Sequence, residues 1–275
     1  MTRRHRTAGF TLMELAVVLA IVALLLGGML MPLAAQIDLR NRQDTEKALV
    51  IIQEALMGFA LINGRLPCPA KPTLVSATGG TCPAGGAATV AGCEATRGAG
   101  ATLACDGSSD ETPVSGVLPW ATLGLAEIDA WGNRYTYSVA PLYARGIDAA
   151  RTDFGGSDCP LNPADHHTYN AALADGPRQS AFAICTPGTI AVLAAAGGTT
   201  LASRIPAVVV SHGKNGGGAY TPQGNRIALP ANGGDEDENA DDDATFVSNN
   251  ASDDLVVWIP RNLLVGRMLA AGKLP

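Results

Sequence analysis

The chain begins with a short polar stretch and then becomes continuously apolar. After Arg3, Arg4 and Arg6, residues 15–35 contain no charged residue. A helix of that length rises about 31 Å at ~1.5 Å per residue, which is enough to cross a hydrocarbon core of about 30 Å. The pattern predicts a membrane-spanning helix over about residues 12–35, and the arginines predict a cytoplasmic N-terminus with the remainder outside the cytoplasm.

A helical pattern continues beyond the apolar run. Apolar positions in residues 44–64 recur at intervals of three and four residues: Leu49, Ile52, Leu56, Phe59 and Ile62. This spacing gives a helix one apolar face, and Asn63-Gly64 ahead of a proline favours its end there. We predict one helix over residues 10–63, loosened at Pro32, with the apolar face covered by a globular domain.

The rest of the chain, residues 64–275, has the pattern of a globular domain that forms an α+β fold with the N-terminal helix. Residues 66–116 are rich in Gly, Ala, Thr and Pro and predict an irregular insertion tied by disulfides. Four apolar segments predict strands: residues 134–139, 180–186, 206–211 and 254–259. Residues 262–272 predict a short closing helix. Strands separated by loops, without regular strand–helix alternation, favour a small antiparallel sheet packed against the long helix.

Six cysteines lie in the predicted globular part: Cys68, Cys82, Cys93, Cys105, Cys159 and Cys185. None form a C-x-x-C pair or a Cys/His group with the spacing of a zinc site. An even number scattered through Gly- and Pro-rich sequence favours disulfides in an oxidising compartment, with reduced buried thiols as the alternative. The sequence does not choose the pairing. Our prediction is sequential, with bridges Cys68–Cys82, Cys93–Cys105 and Cys159–Cys185.

The negative charge of the chain is local. The net charge is -6, yet residues 235–254 hold nine acidic residues and no Lys or Arg, so the rest of the chain carries +3. Such a segment predicts a cation site or a solvated loop. It is not an EF-hand, because Ala240 stands at the required Gly and Phe246 at the closing Glu. No basic cluster follows the first six residues, so nucleic acid is not an expected partner.

Glu14 interrupts the apolar run near its start. Ionisable residues are rare in such runs, since a charge raises the free energy of insertion by roughly 2.5–3.5 kcal/mol at the centre of a membrane helix and by less near an end, where Glu14 lies. The surrounding AGFTLMEL, residues 8–15, resembles the type III signal of the type IV pilin and type II secretion pseudopilin family. The resemblance implies that a prepilin peptidase cuts between Gly9 and Phe10, removes the leader 1–9, and methylates the new amino group.

The resemblance also implies a partner for Glu14. Subunits of that family stack helix against helix, with the Glu of one subunit near the terminal amine of another, so Phe10 and Glu14 are the predicted assembly residues. Each charge then lowers the free energy of burying the other. Two alternatives need no filament. A cleavable signal peptide is disfavoured by the poor site at residues 32–35, and a plain signal anchor leaves the acid with only a favourable place near its helix N-terminus.

Three segments resemble the C-terminal pattern of the major pseudopilin group: residues 129–138, 211–218 and 253–258. That pattern has a D-x-W-G-x-x-Y turn and strand, a S-x-G-x-D-G loop and a D-[IL]-x-x-W strand. The resemblance implies Ca²⁺ bound by oxygen ligands between the last two elements. The candidate ligands are Asn215, Asp235, Asp237, Asp253 and Asp254. The chain departs from the pattern in the Asn at 215, in a much longer loop and in the cysteine-containing insertion.

These features predict a structural subunit. The expected function is that of a type II secretion pseudopilin in the inner membrane, extracted through an assembly platform into a short periplasmic filament of pilin-like subunits. One alternative is a minor pilin of a type IV pilus or DNA-uptake filament. Another is a membrane-anchored periplasmic hydrolase or binding protein. Catalysis is not expected, because Ser211 and His212 are adjacent and would point to opposite faces of a strand, and a G-x-S-x-G motif is absent.

Overall fold

The structure is a computed structural model in which two compact units are distinguished, Met1–Gln43 and Asp44–Pro275. It describes residues 9, 11–76, 81–83, 86, 89–96, 105, 113–147, 179–229 and 234–274, with residues 26–34 described for their backbone alone. Apart from Gly9, the predicted leader lies outside these residues. Helices and an antiparallel sheet together confirm the predicted α+β class.

The N-terminal helix, α1, extends over Leu12–Asn63 and ends where the sequence predicts. Gly64 closes it with φ +69°, a left-handed conformation that glycine adopts without strain, and its N–H donates to Ala60 O at 2.8 Å. The predicted loosening at Pro32 does not end the helix. Within the described residues, no helix combines the length and the hydropathy needed to cross a membrane.

Within the second unit, one face of α1 packs into the main core. Leu49, Ile52 and Leu56 are buried, as their spacing predicts, whereas Ile62 is 78% exposed. The prediction for Ile62 is wrong because thirteen residues at about 3.6 per turn place it on nearly the opposite side of the helix from Leu49. Beyond α1, the same core contains buried aromatic side chains of the domain, including Tyr137.

The main sheet is antiparallel and has the strand order β1-β2-β5-β7. Its strands are β1 (Val114–Val117), β2 (Thr136–Val139), β5 (Ala207–Ser211) and β7 (Leu255–Trp258). Three of them confirm predicted segments. β1 was not predicted, because it lies at the end of the segment interpreted as an irregular insertion. Its register places Gly116 opposite Tyr137, where a Cβ would come within 2.7 Å of a neighbouring backbone oxygen.

A second, three-stranded sheet has the order β4-β3-β6. It consists of β3 (Ile190–Leu193), β4 (Thr200–Ile205) and β6 (Thr245–Val247), with β3 antiparallel to β4 and parallel to β6. A one-turn helix, α4 (Asp235–Glu238), precedes β6. Three further helices are α2 (Trp120–Leu123), α3 (Pro141–Ala144) and α5 (Arg261–Ala270). The last confirms the predicted closing helix with slightly earlier bounds.

Residues 180–186 were predicted as a strand, and this prediction is wrong. The segment is an irregular buried turn. Ser180 Oγ donates to Gly64 O at 3.1 Å and accepts from Phe182 N, while Thr186 Oγ1 accepts from Ala183 N at 2.9 Å. Hydroxyl side chains thus satisfy the backbone locally and compete with a β ladder. Ala181, Phe182 and Ala183 are buried without forming a strand, and Ile184 is exposed.

The predicted disulfide pairing is wrong for the first four cysteines, because the bridges are nested. Cys68 pairs with Cys105 and Cys82 with Cys93. The pairing follows from chain paths that the sequence does not reveal: Ala95 N donates to Pro69 O at 3.2 Å and brings the segment after Cys93 beside the segment after Cys68. Cys185 is also disulfide-bonded, and its predicted partner Cys159 lies outside the described residues.

Candidate functional site

The start of α1 is a capping box, in which two side chains exchange hydrogen bonds with each other's backbone. Glu14 N donates to Thr11 Oγ1 at 3.3 Å, and Thr11 N donates to Glu14 Oε2 at 3.4 Å. A Thr followed three residues later by Glu is the sequence signature of this cap. Two N–H groups that a helix start leaves unsatisfied are therefore paired within the chain.

The capping box gives Glu14 a partner that the sequence analysis missed, although the T-x-x-E pattern signals it. Thr11 and Glu14 are both exposed, so the carboxylate is accessible to a second molecule. Gly9 is exposed as well, and a Cβ built there meets no described atom within 4 Å. Phe10, the predicted processing and assembly residue, lies outside the described residues.

The D-x-W-G segment forms the expected turn around a buried carboxylate. Asp129 Oδ1 accepts from Trp131 N at 2.9 Å and from Asn133 N at 3.0 Å, and Gly132 has φ +93°. Asp129 Oδ2 accepts from Ser211 Oγ at 2.7 Å, which connects the turn before β2 to the end of β5. Burial raises the pKa of Asp129, and the Ser211 bond opposes that shift.

Replacing Asp129 with Ala should lower the free energy of unfolding by about 2–4 kcal/mol, because it leaves a buried hydroxyl and two turn N–H groups without their acceptor. Ser211→Ala removes one of the three hydrogen bonds and serves as the matched control, with an expected loss of about 1 kcal/mol. Thermal unfolding of the full chain in detergent measures both. Equal losses in the two variants would contradict the role given to the turn.

The predicted calcium ligands come from two loops that lie against each other. Asn215 N donates to Asp253 Oδ2 at 2.9 Å, so the loop after β5 contacts the segment before β7. Asn215 Nδ2 donates to both carboxylate oxygens of Glu236 at 3.0 Å. Glu236, on α4, was not a predicted ligand, although its place beside Asp235 in the acidic run was a signal for it.

Asp254 is buried behind this contact. Its Oδ2 accepts from Asn239 Nδ2 at 2.8 Å, whereas its Oδ1 has no hydrogen-bond partner in the described part of the chain. Burial raises the pKa of Asp254 to about 7; the Asn239 bond opposes this shift, and the charges of Glu236, Asp253 and Asp235 add to it. The negative charge around this carboxylate is therefore concentrated and only partly compensated.

His212 borders the same buried carboxylate. His212 Nε2 lies 2.8 Å from Thr136 Oγ1, and its Nδ1, 3.9 Å from Asp254 Oδ1, has no hydrogen-bond partner within the described ranges. Burial, and after it the charge of Arg226, lower the pKa of His212 to about 4, against the opposing effect of Asp253. The imidazole is thus neutral at pH 7 and does not neutralise Asp254.

The other two predicted ligands lie elsewhere in the acidic segment. Asp235 Oδ1 accepts from Ala196 N at 2.7 Å and its Oδ2 accepts from Asn249 Nδ2 at 2.6 Å, so both oxygens fix loop structure. Asp237 is exposed. Among the described residues, no three Asp, Glu, His or Cys side chains are grouped so that they could hold a metal ion. The unpartnered oxygen of Asp254 is the feature that fits a cation.

Comparison with protein families addresses the N-terminus directly. Residues 4–30 match the model of the prokaryotic N-terminal methylation motif, the cleavage and methylation signal of type IV pilin-like proteins. The chain carries a prepilin-type signal. Comparison with curated proteins and with solved structures gives no match.

The prepilin-type signal contains both Gly9 and the capping box at the start of α1. It implies processing by a prepilin peptidase and assembly with other pilin-like subunits. The individual roles of Gly9, Phe10 and Glu14 stay predictions made from the sequence. The match ends at residue 30, so the globular unit and its acidic loops are interpreted from their own geometry.

Proposed function

We propose that this chain is a structural subunit of a pilus-like filament, assembled through its N-terminal helix. The observation that carries the proposal is the prepilin-type signal with Glu14 accessible at the start of α1. The chain then has a mechanical role in the filament, and it is a substrate of the prepilin peptidase. A membrane-anchored hydrolase or binding protein would need neither the signal nor an acid at that place.

Within the filament class, we propose a type II secretion pseudopilin. Support comes from the segments that resemble the major pseudopilin pattern: the Asp129 turn, the loop after β5 and the strand β7. The Asp129–Ser211 and Asn215–Asp253 contacts join them in space. A minor pilin of a type IV pilus or DNA-uptake filament is the second candidate, because the same signal would serve it.

The proposed location is the inner membrane, with a cytoplasmic N-terminus, a single crossing over about residues 12–35 and a periplasmic domain. The uncharged residues 15–35 and the preceding arginines support this orientation. The bridges Cys68–Cys105 and Cys82–Cys93 fit an oxidising compartment.

In the proposed assembly step, Glu14 exchanges one partner for another. In the single chain its carboxylate accepts from a neutral backbone N–H of Thr11 at 3.4 Å. The amine of Phe10 on a neighbouring subunit, produced by cleavage, is a cationic donor and makes a stronger bond to the carboxylate. A subunit out of register leaves both charges unpaired, so the exchange favours one helix stagger.

The decisive experiment is intact-mass measurement of the chain purified from a bacterium with an active prepilin peptidase. A mature chain that begins at methylated Phe10 is expected, and a Gly9→Val variant should keep its leader because a side chain blocks the cleavage position. A wild-type chain that retains Met1 in a strain processing other prepilins would refute the proposed function.

We also propose that the two carboxylates of Asp253 and Asp254, with Asn215 beside Asp253, hold a calcium ion. The unpartnered Asp254 Oδ1, next to uncompensated negative charge, supports this proposal, and carboxylate and amide oxygens are ligands that Ca²⁺ prefers. When bound, the ion would supply positive charge that stabilises the contact between the two loops.

Calcium should therefore raise the melting temperature of the full chain. At a concentration 100 times the dissociation constant, binding adds about 2.7 kcal/mol, or about 5–10 °C for a domain of this size. Asp254→Asn should remove the gain, and the matched control Asp237→Asn, an exposed acid in the same run, should retain it. Identical melting in calcium and in EGTA would contradict the proposal.

A further inference from the structure

The one-turn helix α4, Asp235–Glu238, is not stabilised by its own sequence. All four of its residues are acidic, and its N-cap residue, Gly234, forms no side-chain cap. A single turn is far below the length at which a helix is stable alone, and like charges one turn apart destabilise a helix further. Contacts with the rest of the domain must therefore fix this turn.

Two side chains on one side of the α4 turn contact the surroundings of the proposed calcium ligands. Glu236 accepts from Asn215 Nδ2 through both carboxylate oxygens at 3.0 Å. Asn239, three residues later, donates from its own Nδ2 to Asp254 Oδ2 at 2.8 Å. Residues three positions apart lie on the same side of a helix. This side of α4 is therefore turned toward Asn215 and Asp254.

Asn215 connects α4 to the other proposed ligand, Asp253. Its backbone N donates to Asp253 Oδ2 at 2.9 Å, while its side-chain amide donates to Glu236. The amide is not free to turn over, because its Oδ1 accepts from Gly217 N at 2.8 Å and so keeps Nδ2 toward the carboxylate. One residue thus supplies a fixed N–H donor to each of two carboxylates.

The backbone of the loop after β5 also packs closely against both segments. A Cβ built on Gly213 would lie 2.3 Å from Asp253 O, and one built on Gly218 would lie 2.3 Å from Ala240 Cβ. The loop therefore contacts the segment before β7 near one end and the residue that follows the α4 turn near the other. Asn215 lies between these two points in the sequence.

We propose that Asn215 is the positioning residue that keeps α4 closed against the loop after β5 independently of any bound ion. Both of its contacts with carboxylates come from N–H groups, so neither contact needs a cation. The proposed calcium site, on which the functional meaning of this inference rests, is then assembled before the ion arrives. Binding does not have to order the acidic segment, which lowers the entropy lost on binding.

The charge of residue 215 decides this behaviour. An aspartate there would have no side-chain N–H to offer Glu236, and the two carboxylates would face each other at a distance where they repel. α4 would then stay closed only with a cation between the two carboxylates. The neutral amide therefore sets how strongly the structure of the acidic segment depends on calcium.

Hydrogen–deuterium exchange of the full chain in detergent, with EGTA present, tests the role of Asn215 without any ion. The amides of Glu238, Asn239 and Ala240 donate within the α4 turn and report its opening. Asn215→Asp should speed their exchange at least about tenfold, because the turn then opens more often. Adding Glu236→Gln should restore most of the protection, because the same pair then forms with donor and acceptor exchanged.

Asp237→Asn is the matched control, because Asp237 is an exposed acid of the same turn. Combined with Asn215→Asp, it gives the same net charge as the Glu236→Gln rescue, yet it should restore little protection. Unchanged exchange in Asn215→Asp would overturn the proposal. Equal rescue by the two second substitutions would also overturn it, because general relief of negative charge would then explain the effect.

Calcium added to the same samples separates this inference from the proposed calcium site. It should slow the exchange of Asn215→Asp, because the ion supplies positive charge between the two facing carboxylates. No effect of calcium on this variant would contradict the proposed replacement of the amide by an ion. If calcium leaves the melting temperature of the wild type unchanged while the rescue in EGTA succeeds, the calcium site is refuted and the role of Asn215 stands.

Discussion

Glu14→Gln should abolish incorporation into filaments while leaving the chain folded and cleaved. The amide still completes the capping box with Thr11, because Gln replaces Glu in that motif. The substitution removes the negative charge that pairs with the terminal amine of a neighbouring subunit. An unpaired charge raises the free energy by roughly 2.5–3.5 kcal/mol at the centre of a membrane helix and by less near its end, so the assembly equilibrium should fall by a factor of up to about 100.

Thr11→Val is the matched control, because it retains the charge of Glu14 and the shape of the side chain but removes the cap hydroxyl. This change weakens the start of α1 by about 1 kcal/mol and should leave assembly near the wild-type level. Immunoblots of sheared filaments, with total membrane-fraction chain as the reference, measure both variants. The opposite pattern, with Gln tolerated and Val defective, would show that the acid acts only as a helix cap.

Glu94→Ala is expected to lower the free energy of unfolding by about 3–5 kcal/mol, because it leaves a buried guanidinium without its counter-charge. Arg65 donates to Glu94 through Nη1 and Nη2, both at 2.9 Å, and both side chains are less than 10% exposed. Glu94 also accepts from Cys68 N at 3.3 Å. The pair therefore joins the chain after α1 to the segment after Cys93.

The chain offers an exposed pair of the same geometry as a control. Arg267 donates to Glu54 through both Nη atoms at 2.6 and 2.9 Å, on the surface between α5 and α1. Solvent screens such a pair, so Glu54→Ala should leave the melting temperature nearly unchanged. A double variant, Arg65→Met with Glu94→Leu, should recover much of the loss, because no charge then remains buried. Equal melting temperatures of Glu94→Ala and Glu54→Ala would contradict the expectation that the buried ion pair stabilises the fold more than the exposed one.

The strands that the sequence predicts correctly are short β-branched runs beside clear turns, such as residues 207–211. The three-stranded sheet escaped prediction because its strand β4, TLASRI, contains a bulge at Arg204 that destroys the alternation of apolar and polar residues. For residues 180–186 the error is the opposite, because a strand was predicted where the structure has none. Burial there comes from a turn held by hydroxyl groups, which apolar composition alone does not distinguish from a strand.

For the candidate sites, local motifs were informative and long-range partners were not. The prepilin-type signal that contains Gly9 and Glu14 is one short contiguous segment, so position and residue type sufficed to recognise the signal. The surroundings of Asp254 depend on Asn239 and Glu236, which reach it through a long loop whose path no spacing rule fixes. The nested disulfide pairing was not predicted for the same reason. Pairing depends on which cysteine lies near Cys68 in three dimensions and not on how far apart the two cysteines are in the sequence.

The bridge between Cys68 and Cys105 has a mechanical consequence for a subunit that is pushed or pulled through its helix. A load that leaves α1 reaches Cys68 within five residues and crosses directly to Cys105. The 37 residues of sequence separation between them would otherwise supply about 125 Å of extensible contour at ~3.4 Å per residue. While the disulfide is intact, these residues cannot extend under load. The force therefore reaches the sheet before the segment enclosed by the disulfide unfolds.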